Sequence, residues 1–295
     1  MKRAFWLVGV LFLFSFSDSY AETVKVKIDK TVVCQGDILR VQVIKKSTVP
    51  FAINFLNQRQ ASLFLGKDQV ALVGIHYQLK PGTYSLTGAF EASPGFYVPF
   101  GNKITVREKF KPKKYLVPKR PPEVQKEINE RTEEFQKVFD TRETHPLFSQ
   151  KFVWPIRKIY VPPNDGYFGA DRCAGRRIKR VNCRYHTGTD FRAAFDEKHR
   201  KPEKVLAINS GRVVKRGYYS NMGNVLVIDH GAGIFSGYLH LSKFLVKESD
   251  LVKRKQVIAI AGNTGTNSIH LHLFIRMNDG KTTVDPVKFL QLLSK

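Results

Sequence analysis

Two long blocks of the sequence, residues 23–108 and the residues beyond Phe152, alternate apolar and polar side chains with the period of two that is typical of β-strands. The first block contains the runs "VKVKID", "ILRVQVIKK" and "TYSLTGAF", separated by Gly, Pro, Asn and Lys-rich turns, which predicts a small β-sandwich. The second block contains "GRVVKRG", "GNVLVIDHG" and "QVIAIAGNTG", and a helix is expected only at residues 287–293. We therefore predict an all-β protein with a C-terminal antiparallel β-sheet domain.

The two blocks are separated by a segment of different composition. The stretch "KFKPKKYLVPKRPPE" is basic and rich in proline, which indicates an extended linker. A helix should follow, because Pro121 and Pro122 suit a first helical turn and because Ile128, Phe135 and Phe139 fall at helical spacing. The sequence thus predicts an accessory domain at 22–108, a linker and helix at 109–150, and a second domain at 151–295.

The first 21 residues have the features of a secretory signal peptide. A basic start precedes an apolar run at residues 4–16, and Ser19 and Ala21 supply the small residues that a signal peptidase reads. We expect cleavage after Ala21, export to the periplasm and no membrane insertion of the mature chain. A secreted or cell-wall-associated protein is the alternative.

Charge and cysteine content restrict the partners and the type of site. The formal net charge is 49 − 25 = +24, which favours an anionic partner. Since an exported protein rarely meets nucleic acid, we expect an anionic cell-envelope polymer instead. Cys173 and Cys183 either form a short-range disulfide or are free thiols, and Cys34 would be unpaired. Without a CxxC pair, the cysteines do not indicate a zinc cluster.

Histidine and aspartate residues of the second block have the types and spacing of a catalytic zinc site. His186 precedes Asp190 by four residues in "HTGTDF", and the glycine between them lets the backbone bend so that both side chains converge. In "HLHL", His270 and His272 share one face of a strand, and one of them would complete a set of three ligands with an open fourth position. His240 lies on a separate strand that could face the same cavity. Because the sequence has no HExxH motif, the general base would be a histidine.

Six motifs in this order resemble those of the lysostaphin/LytM-type zinc metallopeptidases: "HTGTDF", "GRVV", "MGNVLVIDHG", "YLHLS", "VIAIAGNTGT" and "HLHL". The resemblance implies a zinc-dependent endopeptidase that cuts peptide bridges or stems of bacterial peptidoglycan. It further implies Zn²⁺ ligands at His186, Asp190 and His272. His240 and His270 would form the catalytic pair, in which one activates the zinc-bound water and the other helps to stabilise the oxyanion.

The chain departs from the family pattern at three places. The turn before the histidine pair is "GTNSI" rather than a longer turn ending in Gly-Pro, Lys255 replaces a turn glycine, and Phe274 replaces an acidic residue. None of these changes removes a ligand. Two non-enzymatic functions remain as alternatives: a regulator that activates another wall hydrolase, and a wall-binding protein. Neither the peptide bond that is cut nor the oligomeric state follows from these residues.

Overall fold

The computed structural model describes residues 25–44, 51–65, 68–93, 95–109, 122–140, 143–148, 151–157, 161, 166–170, 185–192, 203–220 and 222–294. The predicted signal peptide, most of the basic linker, Cys173, Cys183 and His199 lie outside these residues. Cys34 is a free thiol. Among the described residues, no helix combines the length and the apolar character needed to cross a bilayer.

The described residues fall into two compact units. The first consists of residues 25–33, the described residues between Leu39 and Val73, and Pro81–Arg107; the second consists of Cys34–Ile38, Gly74–Lys80 and the described residues from Glu108 onward. Two helices and eighteen strands make up the regular structure of this part of the chain, so the predicted all-β fold class is confirmed.

The first unit is built from two sheets. Its strands are β1 (Lys25–Ile28), β2 (Val32–Cys34), β3 (Ile38–Ile44), β4 (Phe51–Phe55), β5 (Gln58–Ala61), β6 (Leu63–Leu65), β7 (Asp68–Gly74), β8 (Gly82–Ser93) and β9 (Phe96–Arg107). One sheet has the order β1-β3-β7-β6 and the other β2-β9-β8-β4-β5. Alternate residues are buried along β4, where Phe51, Ile53 and Phe55 are in the core and Asn54 is exposed. This is the period-two pattern read from the sequence.

The second unit contains one nine-stranded sheet whose described pairings are all antiparallel. Its strands are β10 (Thr189–Phe191), β11 (Lys204–Leu206), β12 (Gly211–Tyr219), β13 (Gly223–Asp229), β14 (Phe235–Phe244), β15 (Leu251–Val252), β16 (Val257–Ala261), β17 (Leu271–Met277) and β18 (Thr282–Val284). The main path runs β10-β17-β14-β13-β12-β15. Strands β13, β14 and β17 are buried along most of their length, so both faces of the sheet centre are covered.

One helix packs on each face of this sheet. Helix α2 (Pro286–Leu293) begins at Asp285, whose carboxylate accepts hydrogen bonds from the backbone N–H of Val287 and Lys288. Its Phe289 packs edge-on against Phe152. Helix α1 (Pro122–Asp140) follows the linker, as the sequence predicts, and packs on the opposite face. Both predicted helices are therefore present.

Candidate metal centre and catalytic histidines

Two imidazoles and one carboxylate converge at the β10 edge of the sheet. Asp190 on β10 is directly opposite His272 on β17, so both side chains lie on the same face. Asp190 Oδ1 is 2.7 Å from His272 Nδ1 and 3.1 Å from His186 Nε2, and the two imidazole nitrogens are 2.9 Å apart. The structure thus brings together the three residues that the sequence selected as metal ligands.

Gly188 makes room for this convergence. A Cβ at this position would overlap the imidazole of His272 and the backbone carbonyl of Leu273. Gly188 is not among the glycines with a positive φ angle. The chain bends at this glycine without a left-handed φ, as expected from the sequence, and the site also needs a residue without a side chain here because His272 lies against the backbone.

The segment 166–170 forms hydrogen bonds that fix the positions of His186 and Asp190. The Nδ1–H of His186 donates to the carbonyl of Tyr167 at 3.1 Å, and the backbone N–H of Asp190 donates to the carbonyl of Gly166 at 2.7 Å. His186 also exchanges backbone hydrogen bonds with Gly169 and Ala170. With its hydrogen on Nδ1, a neutral His186 presents the lone pair of Nε2 to the cluster, which is the arrangement that orients histidine ligands in metal sites.

The electrostatics of the three groups favour a cation between them. Burial lowers the pKa of His272 to about 3, against the opposing hydrogen bond to Asp190, so this imidazole is neutral at physiological pH. Burial alone would raise the pKa of Asp190, but the close contacts of its carboxylate with the ring nitrogens of His186 and His272 outweigh burial and hold the pKa far below its usual value. A carboxylate and two imidazole nitrogens are a donor set suited to Zn²⁺. The residues therefore fit the implied metal.

His240 reaches the site through an irregularity of β14. From Tyr238 to Leu241 the strand advances three residues while its partner β13 advances two, from Leu226 to Asn224, which is a β-bulge. In regular alternation Leu239 faces the metal side, since it is opposite His272, and His240 would face away. The bulge, with a left-handed φ of 62° at His240, turns the imidazole back to the site.

The His240 ring lies 4.7 Å from the ring of His270 and 6.0 Å from that of His272, centroid to centroid. Nδ1 of His240 lies 2.9 Å from the carbonyl of Thr264, and Nδ1 of His270 lies 2.9 Å from the carbonyl of Ser268. Both contacts place a hydrogen on Nδ1 and leave Nε2 as the proton-accepting atom of a neutral ring. In His270 this Nε2 is 3.7 Å from Asp190 Oδ1. All five residues selected from the sequence are therefore neighbours, and their chemical roles remain a prediction.

Phe274 explains one departure from the family pattern. It lies on the same strand face as His272, two residues further along β17, and its ring occupies the space where Gly237 has no side chain. It belongs to an apolar cluster that includes two phenylalanines of helix α1; the buried members are Phe135, Phe139, Val225, Val227, Phe235, Leu239 and Phe274. An apolar side chain suits this position because helix α1 covers this part of the sheet face. The sequence shows the apolar face of the helix but not the part of the sheet that this face covers.

The remaining histidines of the described residues lie outside the cluster. His230 is fully buried, with Nδ1 2.8 Å from the carbonyl of Ser210 and Nε2 2.8 Å from Ser236 Oγ, which fits a structural role. His145 is exposed. His76 is half-buried in the second unit and is not part of the His186–Asp190–His272 group that the described residues form.

Comparison with known proteins adds relatives for the region that carries this site. The model of peptidase family M23 matches residues 184–286. Lipoprotein NlpD of Yersinia enterocolitica is 39% identical over 89 residues, which are 30% of this chain and 90% of that protein. Peptidoglycan DD-endopeptidase ShyB of Vibrio cholerae is 41% identical over 88 residues, 30% of this chain and 19% of that protein. Murein hydrolase activator NlpD of Escherichia coli is 40% identical over 91 residues, 30% of this chain and 24% of that protein.

The chain therefore spans less than a quarter of the length of the latter two relatives. A crystal structure from Pseudomonas aeruginosa, of a protein assigned to peptidase M23, superposes with a TM-score of 0.57 at 23% identity. The superposition covers 88% of this chain and 95% of that one. At this level of identity the likeness concerns the fold.

Proposed function

The chain belongs to peptidase family M23, and we propose that it is a zinc-dependent metalloendopeptidase that hydrolyses peptide cross-links of bacterial peptidoglycan. The observation that carries the proposal is the convergence of His186, Asp190 and His272 with a second histidine pair beside them. Three protein ligands with an open position are typical of catalytic zinc sites, whereas a structural site closes all four positions.

The chemistry is divided between the proposed metal and the histidine pair. Zn²⁺, when bound, supplies Lewis acidity that polarises a carbonyl and makes water more acidic. His186, Asp190 and His272 would hold it. His240 and His270 each present Nε2 toward the site, so one can accept the proton of the attacking water while the other, protonated, donates a hydrogen bond to the developing oxyanion. Removing either histidine should therefore reduce turnover without removing the metal.

The proposed setting is the periplasm of a bacterial cell envelope. The relatives include proteins named lipoprotein NlpD, outer membrane antigenic lipoprotein B and peptidoglycan DD-endopeptidase, which supports an envelope location and a peptidoglycan substrate. A net charge of +24 suits an anionic wall polymer as the binding partner.

A second candidate function is that of a regulator which binds the wall and activates another hydrolase. The relative named murein hydrolase activator favours it, because its matched region is as similar to this chain as that of the endopeptidase. The retained His and Asp residues favour the enzyme instead, since a regulator has no chemical need for three metal-binding donors and a histidine pair.

The two functions are separated by measuring zinc content and product release from purified sacculi. The enzyme should bind zinc and release soluble muropeptides, and a chelator should stop the release. His272→Ala should lose both zinc and activity, whereas His145→Ala, at an exposed histidine, should lose neither. Mass spectrometry of the products identifies the bond. If the zinc-loaded chain releases nothing alone yet stimulates a separate wall hydrolase, the regulator is the correct function.

A further inference from the structure

Helix α1 lies outside the family match, which begins at residue 184, yet it packs on the sheet face that carries the metal cluster. Its buried Phe135 and Phe139 share one apolar cluster with Leu239, the residue directly opposite His272 in the sheet. Tyr219 and Met222, at the turn between β12 and β13, pack against the same cluster. The helix is therefore adjacent to the turn that precedes β13.

A carboxylate of α1 is bonded to this turn. Glu134 Oε2 accepts a hydrogen bond from the Tyr219 hydroxyl at 2.7 Å, and Glu134 Oε1 lies 2.5 Å from Lys215 Nζ. Burial would raise the pKa of Glu134, but the hydrogen bonds from Lys215 and Tyr219 outweigh it and lower the pKa, so the side chain is ionised at neutral pH. Burial and the Glu134 carboxylate raise the pKa of Tyr219, which keeps its hydroxyl protonated as the donor. Hydrogen bonds to an ionised partner are stronger than neutral ones.

The backbone of this turn is hydrogen-bonded to the backbone of His240. The N–H of Met222 donates to the carbonyl of Tyr219 at 3.0 Å, and the carbonyl of Met222 accepts from the N–H of His240 at 3.2 Å. Ser220, in the same turn, donates to Glu127, a second carboxylate of α1. A continuous series of bonds thus runs from Glu134 through Tyr219 and Met222 to His240.

His240 is the site residue whose position depends most on such support. Its left-handed φ of 62° is unfavourable for a side chain with a Cβ, and its imidazole faces the metal side only because of the bulge. Conformations of this kind persist where surrounding contacts hold them. The bond from its N–H to Met222 fixes the bulge on one side and the bond from its Nδ1 to Thr264 fixes the ring on the other.

We propose that Glu134 of helix α1 is a positioning residue of the active site, which acts through Tyr219 and Met222 to hold the backbone bulge at His240. It touches neither the metal ligands nor the reacting atoms. This inference rests on the proposed function in one respect, namely that His240 takes part in hydrolysis; the bond to the His240 backbone does not depend on it.

The test compares four variants of the full mature chain: Glu134→Ala, Glu134→Gln, Tyr219→Phe and the Glu134→Ala/Tyr219→Phe double variant. Glu133→Ala is the matched control, because Glu133 is the exposed neighbour on the same helix. Two readouts are used: the exchange rate of the His240 amide hydrogen, which is independent of activity, and kcat and KM for muropeptide release. Zinc content and the melting temperature are measured in parallel.

We expect Glu134→Ala to speed up amide exchange at His240 and to lower kcat about tenfold, while KM and zinc content stay unchanged. A loss of about tenfold is the lower end of the effect seen when residues that orient the side chains of a metal site are removed. Tyr219→Phe should match it, and the double variant should be no worse than either single variant, since both remove the same connection. Glu134→Gln retains an acceptor for the Tyr219 hydroxyl and should recover part of the loss. Glu133→Ala should resemble the unaltered chain.

The inference is overturned if the His240 amide exchanges at the same rate in Glu134→Ala as in the Glu133→Ala control, or if Glu133→Ala reproduces the fall in kcat. A lower melting temperature with unchanged kcat would assign Glu134 a purely structural role and would also overturn it. If the unaltered chain hydrolyses nothing, the proposed function fails, and the exchange rate at His240 alone then decides whether Glu134 positions this backbone.

Discussion

The sheet face that carries the candidate metal centre has two regions of opposite chemistry. On β17, His272 belongs to a polar cluster with Asp190 and His186, whereas Phe274, two residues further along on the same face, belongs to an apolar cluster with Phe139. The alternation of the strand delivers both side chains to this face. The groups opposite them decide the difference, since a carboxylate faces one residue and a helix covers the other. Four sets of measurements test that contrast, two within these regions and two at positions outside them.

The largest effect is expected at the apolar region. Phe139 is 1% exposed and packs edge-on against Phe235 with ring centroids 4.8 Å apart. Phe139→Ala should lower the free energy of unfolding by about 3–5 kcal/mol, because it leaves a cavity under α1. Urea unfolding measures this change, and Lys137→Ala on the exposed side of the helix is the control. Loss of zinc in the folded Phe139→Ala variant would show that the two regions are not separate.

Two glycines on this face offer a reciprocal pair of variants. A Cβ at Gly188 would overlap His272, and a Cβ at Gly237 would overlap the ring of Phe274. Gly188→Ala should weaken zinc affinity about 10- to 100-fold, as expected when the surroundings of a ligand shift. Gly237→Ala should leave zinc affinity unchanged and cost about 1–3 kcal/mol of stability through overpacking. Zinc titration and urea unfolding of both variants test these expectations. Equal zinc affinities of Gly188→Ala and Gly237→Ala would contradict them.

His230, away from the metal cluster, provides a histidine for comparison that is buried without a metal role. Burial lowers its pKa to about 4, below the 6.5 of an unfolded histidine. The folded state disfavours the charged ring. The stability that the neutral His230 contributes is therefore fully present above pH 6.5 and is lost as the pH falls toward 4. At 1.4 kcal/mol per pKa unit, the free energy of unfolding should fall by about 2 kcal/mol between pH 7.5 and pH 5. The free energy of unfolding of His230→Gln should not show this fall between pH 7.5 and pH 5. If the variant and the unaltered chain have the same pH dependence of unfolding, His230 is not its source.

The smallest effect is expected at a turn that belongs to neither region. Lys255 adopts a left-handed φ of 67°, at the position where the family pattern has a glycine. Lys255→Gly should raise the free energy of unfolding by about 1 kcal/mol or less, because relief of the backbone strain is partly offset by the greater entropy of glycine in the unfolded chain. Thermal unfolding measures it. Zinc affinity and activity should not change.

The sequence predicts the family resemblance, the all-β class and both helices, and the structure and the relatives confirm these points. It also selected the five residues that the structure brings together. It could not find the bulge at His240, because period-two alternation places that imidazole on the wrong face. Nor could it identify what covers Phe274, since the covering helix ends more than 130 residues earlier in the chain.

The sequence by itself determined which chemical groups are available and to which face most of them point, because strand alternation and residue type are local properties. The spacing of "HLHL" alone places His270 and His272 side by side. Only the tertiary structure decided that Asp190 is opposite His272, that Gly188 leaves room for its ring, and that Glu134 connects helix α1 to the turn beside His240. These depend on strand register, on a bulge and on contacts between distant segments, which no local pattern encodes.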